Sequence, residues 1–148
     1  MRGNRRSWTL GRRGQAVVEF ALVLPVLLVL LLGIIELSWL AKTYITLANS
    51  AREGARTAAV GRATAAVTER TEQAASPLNV TVTLQVSPDD GTSWSSLGNG
   101  PGGTSNAAAT GQLIRVRVTT THQQLSGFFP FLNSLTVREE AIMRREPS

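Results

Sequence analysis

From Phe20 to Ile35 the chain carries no charge and reads FALVLPVLLVLLLGII, with leucine on every side of a helical projection. A core helix of a soluble protein shows one apolar stripe, whereas an all-round apolar run suits a helix surrounded by lipid. At about 1.5 Å per residue the run alone spans about 24 Å, and Ala16 to Leu40 spans about 37 Å, enough for a hydrocarbon core of about 30 Å. Glu19 and Glu36 then fall near the two boundaries, where a carboxylate costs less than at the centre. Trp39 and Tyr44 follow the run, where interfacial aromatics belong.

Past the run the apolar positions tighten to small side chains. Leu47, Ala48, Ala51, Ala55, Ala58 and Ala59 recur at three- and four-residue intervals, a helical stripe over which another element can approach closely. One helix is expected from about Gln15 to the late fifties, with a possible kink at Pro25 and a break at Gly61. A second helical piece is expected from Arg62 to about Ala75. At Pro77 the period changes to two. LNVTVTLQV puts Val80, Val82, Leu84 and Val86 on one face, and QLIRVRVTT puts Ile114, Val116 and Val118 inward with Arg115 and Arg117 outward. LTVREEAIMRRE supplies a third strand, with Leu135, Val137, Ala141 and Met143 on one face interrupted by Glu139. The Gly- and Ser-rich segment 87–111 is expected to be a long mobile loop. Its Asp90-Gly91 turn signal allows a short extra strand from Thr92 to Ser95. The apolar stretch SGFFPFLNS is placed to cover the helix end or to touch the membrane.

Charge changes the picture only at the N-terminus. The formal net charge is +5, but five of the fifteen basic residues (Arg2, Arg5, Arg6, Arg12 and Arg13) precede Gln15 without one acid among them. From Gln15 onward ten basic residues meet ten acidic ones, so the body has no net attraction for phosphate, and nucleic acid is not an expected partner. The same asymmetry predicts a cytoplasmic N-terminus and an exported C-terminal domain. A cleaved secretory signal peptide would need a small-x-small site just after the run. Ser38-Trp39-Leu40 and Trp39-Leu40-Ala41 are poor ones, and Ala48-Asn49-Ser50 lies far beyond, so the helix is expected to be retained.

The inventory offers little chemistry. There is no cysteine, so thiol catalysis, disulfides and cysteine-ligated metals are out. His122, the sole histidine, follows a strand and reads as a solvated strand-end residue without the serine and acid of a triad. Asp89-Asp90-Gly91 lacks the alternating ligands and closing glutamate of a calcium loop and reads as a turn. GNGPGG is not followed by Lys-Ser/Thr, so it is no phosphate loop. No catalytic residue, metal, cofactor or small-molecule substrate is expected.

One constellation does carry information. Arg12-Arg13-Gly14-Gln15-Ala16-Val17-Val18-Glu19-Phe20 is a basic leader ending in glycine, then a glutamate and an aromatic opening the apolar run. It resembles the processing site of type IV pilin-like proteins. With Pro25, the Gly33 to Glu36 stretch and Ala51-Arg52-Glu53-Gly54-Ala55-Arg56, the segment from about Arg13 to Gly61 resembles the TadE family of pseudopilins. The resemblance implies a minor pilin-like component of the tight-adherence (Flp) pilus assembly system, cut between Gly14 and Gln15 by an aspartate-type prepilin peptidase. It further implies that Glu19 and Phe20 serve processing or assembly, that Ala51, Arg52, Gly54, Ala55 and Arg56 form a helix-packing motif, and that the partners are the bilayer, other pilins or pseudopilins and Tad assembly proteins. Cleavage would remove all five leader arginines and create an ammonium group on Gln15, one helical turn from Glu19. Gln15 departs from the phenylalanine usual in major type IV pilins, and the exported domain exceeds that of the small major Flp pilins.

The expected architecture is α+β: a leader (1–14), a transmembrane helix (15–41) in a cell membrane, an exported helical region (42–75) and a β-rich exported domain (76–148) with a small antiparallel sheet. A second reading is a membrane-anchored exported binding module that uses the Gly-rich loop and Trp94.

Overall fold

The computed structural model describes residues 11–130 and 134–147, with side chains from Gly14 onward. Arg2, Arg5 and Arg6 lie outside the described residues, as do the side chains of Arg12 and Arg13. The fold is α+β. Helix α1 (Gly11–Ala59) has 49 residues and runs unbroken through Pro25, about 73 Å of rod. Helix α2 (Thr64–Ala75) folds back on it. Four strands follow: β1 (Thr81–Ser87), β2 (Ser95–Ser96), β3 (Leu113–Thr121) and β4 (Thr136–Arg144). They form one antiparallel sheet in the order β2-β1-β3-β4.

The two halves of α1 solve opposite problems. Its most apolar window has a mean hydropathy of 2.9 and no part of it is buried by protein; Val17, Leu22, Leu27 and Leu30 are all exposed. That is a helix long and apolar enough to cross a membrane, and its bare surface separates it from a soluble core helix. From Glu36 on, one stripe turns inward: Glu36, Thr43, Leu47, Ser50, Ala51, Gly54, Ala55 and Ala58 are buried. The stripe lies on β3 and β4 and against α2.

Register places the apolar rows of the three long strands side by side. Val116 pairs with Leu84 and Ala141, and Ile114 with Val86 and Met143. Ile114, Val116 and Val118 are fully buried beneath α1, each contributing about 1.5–3 kcal/mol over its exposed state. The outward face is polar: Arg117 bonds Glu140 at 3.0 Å, and Arg115 bonds Gln85 and lies 4.0 Å over the Trp94 ring.

The Gly-rich segment departs from the mobile loop expected. Its backbone is irregular, yet it covers the corner between the helices. Asn106 donates to the carbonyls of Ala58 (2.8 Å) and Arg62 (3.0 Å), tying the segment to the last turn of α1 and to the connection that follows it. Asn99 accepts from the Thr64 N–H at 2.8 Å, serving as a cap for α2, whose own N-cap residue, Ala63, makes no side-chain bond. Leu97 is buried in the core. The short strand appears at Ser95–Ser96, at the end of the Thr92 to Ser95 span expected.

Within this segment the turn at Asp89 is held by a carboxylate cage. Asp89 accepts from Ser87 Oγ (2.7 Å), Ser93 N (2.8 Å) and Ser93 Oγ (2.6 Å), and these bonds to the charged form pull its pKa down to about 2. A depressed carboxylate stabilises the fold above its ordinary pKa of about 4, and the contribution is lost as pH falls through the folded value. Amide protection of residues 87–96 is therefore expected to fall between about pH 4 and pH 2 in the wild type. In Asp89→Asn it is expected to be lower at neutral pH and flat across that window. Hydrogen exchange at several pH values checks this; an unchanged profile in the variant would show that the cage does not order the turn.

Candidate functional site

The strongest polar assembly lies where α1 leaves the apolar run, on residues that composition alone made unremarkable. Glu36 is 1% exposed. Its carboxylate accepts from two successive backbone N–H groups, Leu125 (3.1 and 3.2 Å) and Ser126 (3.3 Å), and from the Ser126 hydroxyl (3.2 Å). His122 Nε2 stands 3.4 Å away and is equally buried. Consecutive N–H groups turned on one carboxylate form an anion nest. The segment 122–130 is thus clasped around α1, and Phe129 reaches to 3.7 Å from a Cβ placed on Gly33.

One expectation is corrected here. His122 is not a solvated strand-end residue: Ile114, Val116, Val118, Thr120 and His122 are all buried, so His122 extends the inward parity of β3 beyond the strand's end. Glu36, expected only to fall near a membrane boundary, lies on the stripe it shares with Thr43, Leu47 and Ser50, and the protein itself supplies its donors. Both signals were present in the two periodicities, three to four along α1 and two along β3. The polar residue types masked them.

Serine, histidine and glutamate meet here, but not as a nucleophilic triad. That chemistry needs the serine hydroxyl on one histidine nitrogen and the acid on the other. Here Ser126 Oγ donates to the glutamate, the histidine faces the same carboxylate, and His122 Nδ1 has no partner among the described residues. Nothing in this arrangement activates a nucleophile. A cleft of about 250 Å³ borders it, lined among others by Trp39, Pro77, Thr121 and Gln124. No group of three or more metal-ligating side chains occurs among the described residues.

The residues singled out from the sequence fall in two places. At the N-terminal end, Gly14, Gln15, Glu19 and Phe20 are exposed on α1. Nothing lies within 4 Å of a Cβ placed on Gly14, and Gln15 Nε2 donates to Glu19 Oε1 at 3.0 Å. At the other end, Ala51, Gly54 and Ala55 are buried while Arg52 and Arg56 are exposed. At Gly54 both α2 and β3 approach α1 closely: an added Cβ would overlap Thr71 Oγ1 and stand 3.1 Å from Val116 Cγ1. Glu53, between them, bonds Arg70 of α2 at 2.9 Å. Trp94 is engaged within the fold, donating to Gly91 O at 3.1 Å beneath Arg115.

Comparison with known families finds a match over part of the chain. Residues 14–56, which lie wholly within α1, match the model of the family described as TadE-like protein. The resemblance read from the sequence is shown for that helix; the sheet domain lies outside the match. Neither the curated proteins nor the solved structures give a match to the chain.

Proposed function

We propose, from the TadE-like character of α1, that this protein is a minor pilin-like component of the tight-adherence (Flp) pilus assembly system. It acts structurally, with α1 in the cytoplasmic membrane, the N-terminus in the cytoplasm and the sheet domain on the exported side. The observation that carries the reading is the place of the family match on the helix. The TadE-like match begins at Gly14, where the basic leader ends, and it covers the exposed apolar run of α1 and the buried small-residue stripe that follows it. A subunit that works by lateral helix packing needs such a surface, followed by a rigid connection to a folded head, and α1 supplies both without a break.

In this reading a prepilin peptidase cuts between Gly14 and Gln15, and the new ammonium group pairs with Glu19 of the same or a neighbouring subunit. Before cleavage the Gln15 amide already occupies Glu19. The carboxylate would then offset part of its cost at the edge of the bilayer through that charge, and assembly with other pilins or pseudopilins would use it as a register mark. Phe20 follows it on the exposed surface. The partners are other pilin-like subunits, Tad assembly proteins, the peptidase and the bilayer.

The test is Glu19→Leu. Leucine keeps the helix and adds apolar area, so insertion and leader cleavage should match the wild type while cross-links to partner subunits and surface piliation are lost. Normal piliation by a correctly inserted and processed Glu19→Leu protein would remove the electrostatic role of Glu19. A variant that neither inserts nor matures would place Glu19 in processing instead.

A further inference from the structure

We propose that the 125–130 loop is a second membrane contact, an apolar finger that dips into the outer edge of the bilayer beside α1 and holds the sheet domain down on it. The inference rests on α1 spanning the membrane. Positions along α1 serve as a depth scale, at about 1.5 Å each. The loop meets α1 at Glu36, through the Leu125 and Ser126 amides, and continues inward to Gly33, where Phe129 packs. It therefore descends about 4.5 Å along the helix, beside residues of the apolar run. A hydrocarbon core of about 30 Å that begins near Ala16 ends near Ile35, so the level of Gly33 lies inside it.

What the loop presents at that level is apolar and bare. Phe128 is 60% exposed and Leu125 57% exposed, and Phe128 meets Phe129 edge-on with ring centroids 6.3 Å apart. On α1 the neighbouring Ile34 and Leu37 are equally exposed, so the loop continues the surface that lipid already covers. A second protein copy is a poor occupant for it: Phe128 and Leu125 expose about 200 Å² between them, against about 800 Å² per partner in a stable protein interface.

The Glu36 nest accounts for the backbone. A chain segment that enters a water-poor layer must satisfy its own N–H groups. Glu36 takes those of Leu125 and Ser126, and Ser126 Oγ takes that of Phe128 at 3.3 Å. An acid at the end of an apolar run thus lets a non-helical loop rest at membrane depth.

The absence of cysteine in the natural chain makes site-specific spin labelling direct. Full-length chains carrying Phe128→Cys, Leu125→Cys, Val29→Cys or Ser95→Cys would be labelled and placed in phosphatidylcholine–phosphatidylglycerol vesicles. Relaxation would then be read with oxygen, which concentrates in lipid, and with a water-soluble nickel chelate. Labels at 128 and 125 are expected to behave like that at 29, with severalfold greater oxygen and severalfold lower nickel accessibility than the label at 95. If 29 lies in lipid while 125 and 128 match 95, the loop contact is overturned and the span stands. If 29 is itself in water, the span fails and the loop contact with it. Shielding at 128 from both probes, with spin–spin broadening relieved by unlabelled chain, would identify a second copy as the occupant and overturn the lipid assignment.

Discussion

Glu36→Leu is expected to release segment 122–130 from α1 and to raise hydrogen exchange there about tenfold to a hundredfold. Leucine is close to glutamate in size, so the change removes the acceptor and leaves the stripe filled. The Leu125 and Ser126 amides, the Ser126 hydroxyl and His122 Nε2 then face apolar surface without a partner. Each buried donor left unpaired costs about 1–3 kcal/mol, and every 1.4 kcal/mol is about tenfold in an opening equilibrium. Glu36→Gln, which keeps one acceptor oxygen, should fall between the two. The measurement is amide exchange in detergent micelles or nanodiscs, with β3 and α2 as internal references. Unchanged protection at Leu125 and Ser126 would show that the nest does not hold the loop.

The second large effect is at Gly54. Alanine in place of glycine usually strengthens a helix by about 1 kcal/mol, but here the space decides the sign. A Cβ on Gly54 would meet Thr71 Oγ1 inside contact distance and crowd Val116. Thr71 is itself buried and its hydroxyl donates to Val67 O at 2.6 Å, so turning it away breaks a bond. Overpacking of this kind costs about 1–3 kcal/mol for a small intrusion. Gly54→Ala should therefore lose up to about 2 kcal/mol net of the helical gain. Gly54→Leu should lose about 3 kcal/mol or more by prising α2 from α1. Denaturation in mild detergent checks the order. A more stable Gly54→Ala protein would mean that α2 moves freely against α1.

Periodicity carried most of the architecture. The apolar run, the small-residue stripe and the three alternating strands were legible because each repeats its signal over many residues. The end of α1 and the start of α2 fell within two residues of expectation, since Gly61, at φ +87°, adopts a conformation that favours glycine. What escaped was set by single polar side chains acting across the fold. Glu36 and His122 are 86 residues apart, and nothing local marks either as buried once its type suggests solvent. The Gly-rich segment misled in the same way: its composition is that of a flexible loop, yet Asn99, Asn106 and Leu97 anchor it to the helical corner. Those three contacts depend on tertiary placement. Ala51, Gly54 and Ala55 are buried, as small side chains on a stripe can be, whereas Arg52 and Arg56 are exposed.

The central claim is that α1 is the retained, processed helix of a pilin-like subunit. Its most direct test is the N-terminus of the protein recovered from the membranes of cells that carry the pilus machinery, read by intact mass and N-terminal peptide sequencing. The account predicts a chain that begins at Gln15, keeps the whole apolar run and sediments with the membrane. A chain that begins beyond residue 40, or one that keeps the five leader arginines while the peptidase is active on other pilins, would contradict it.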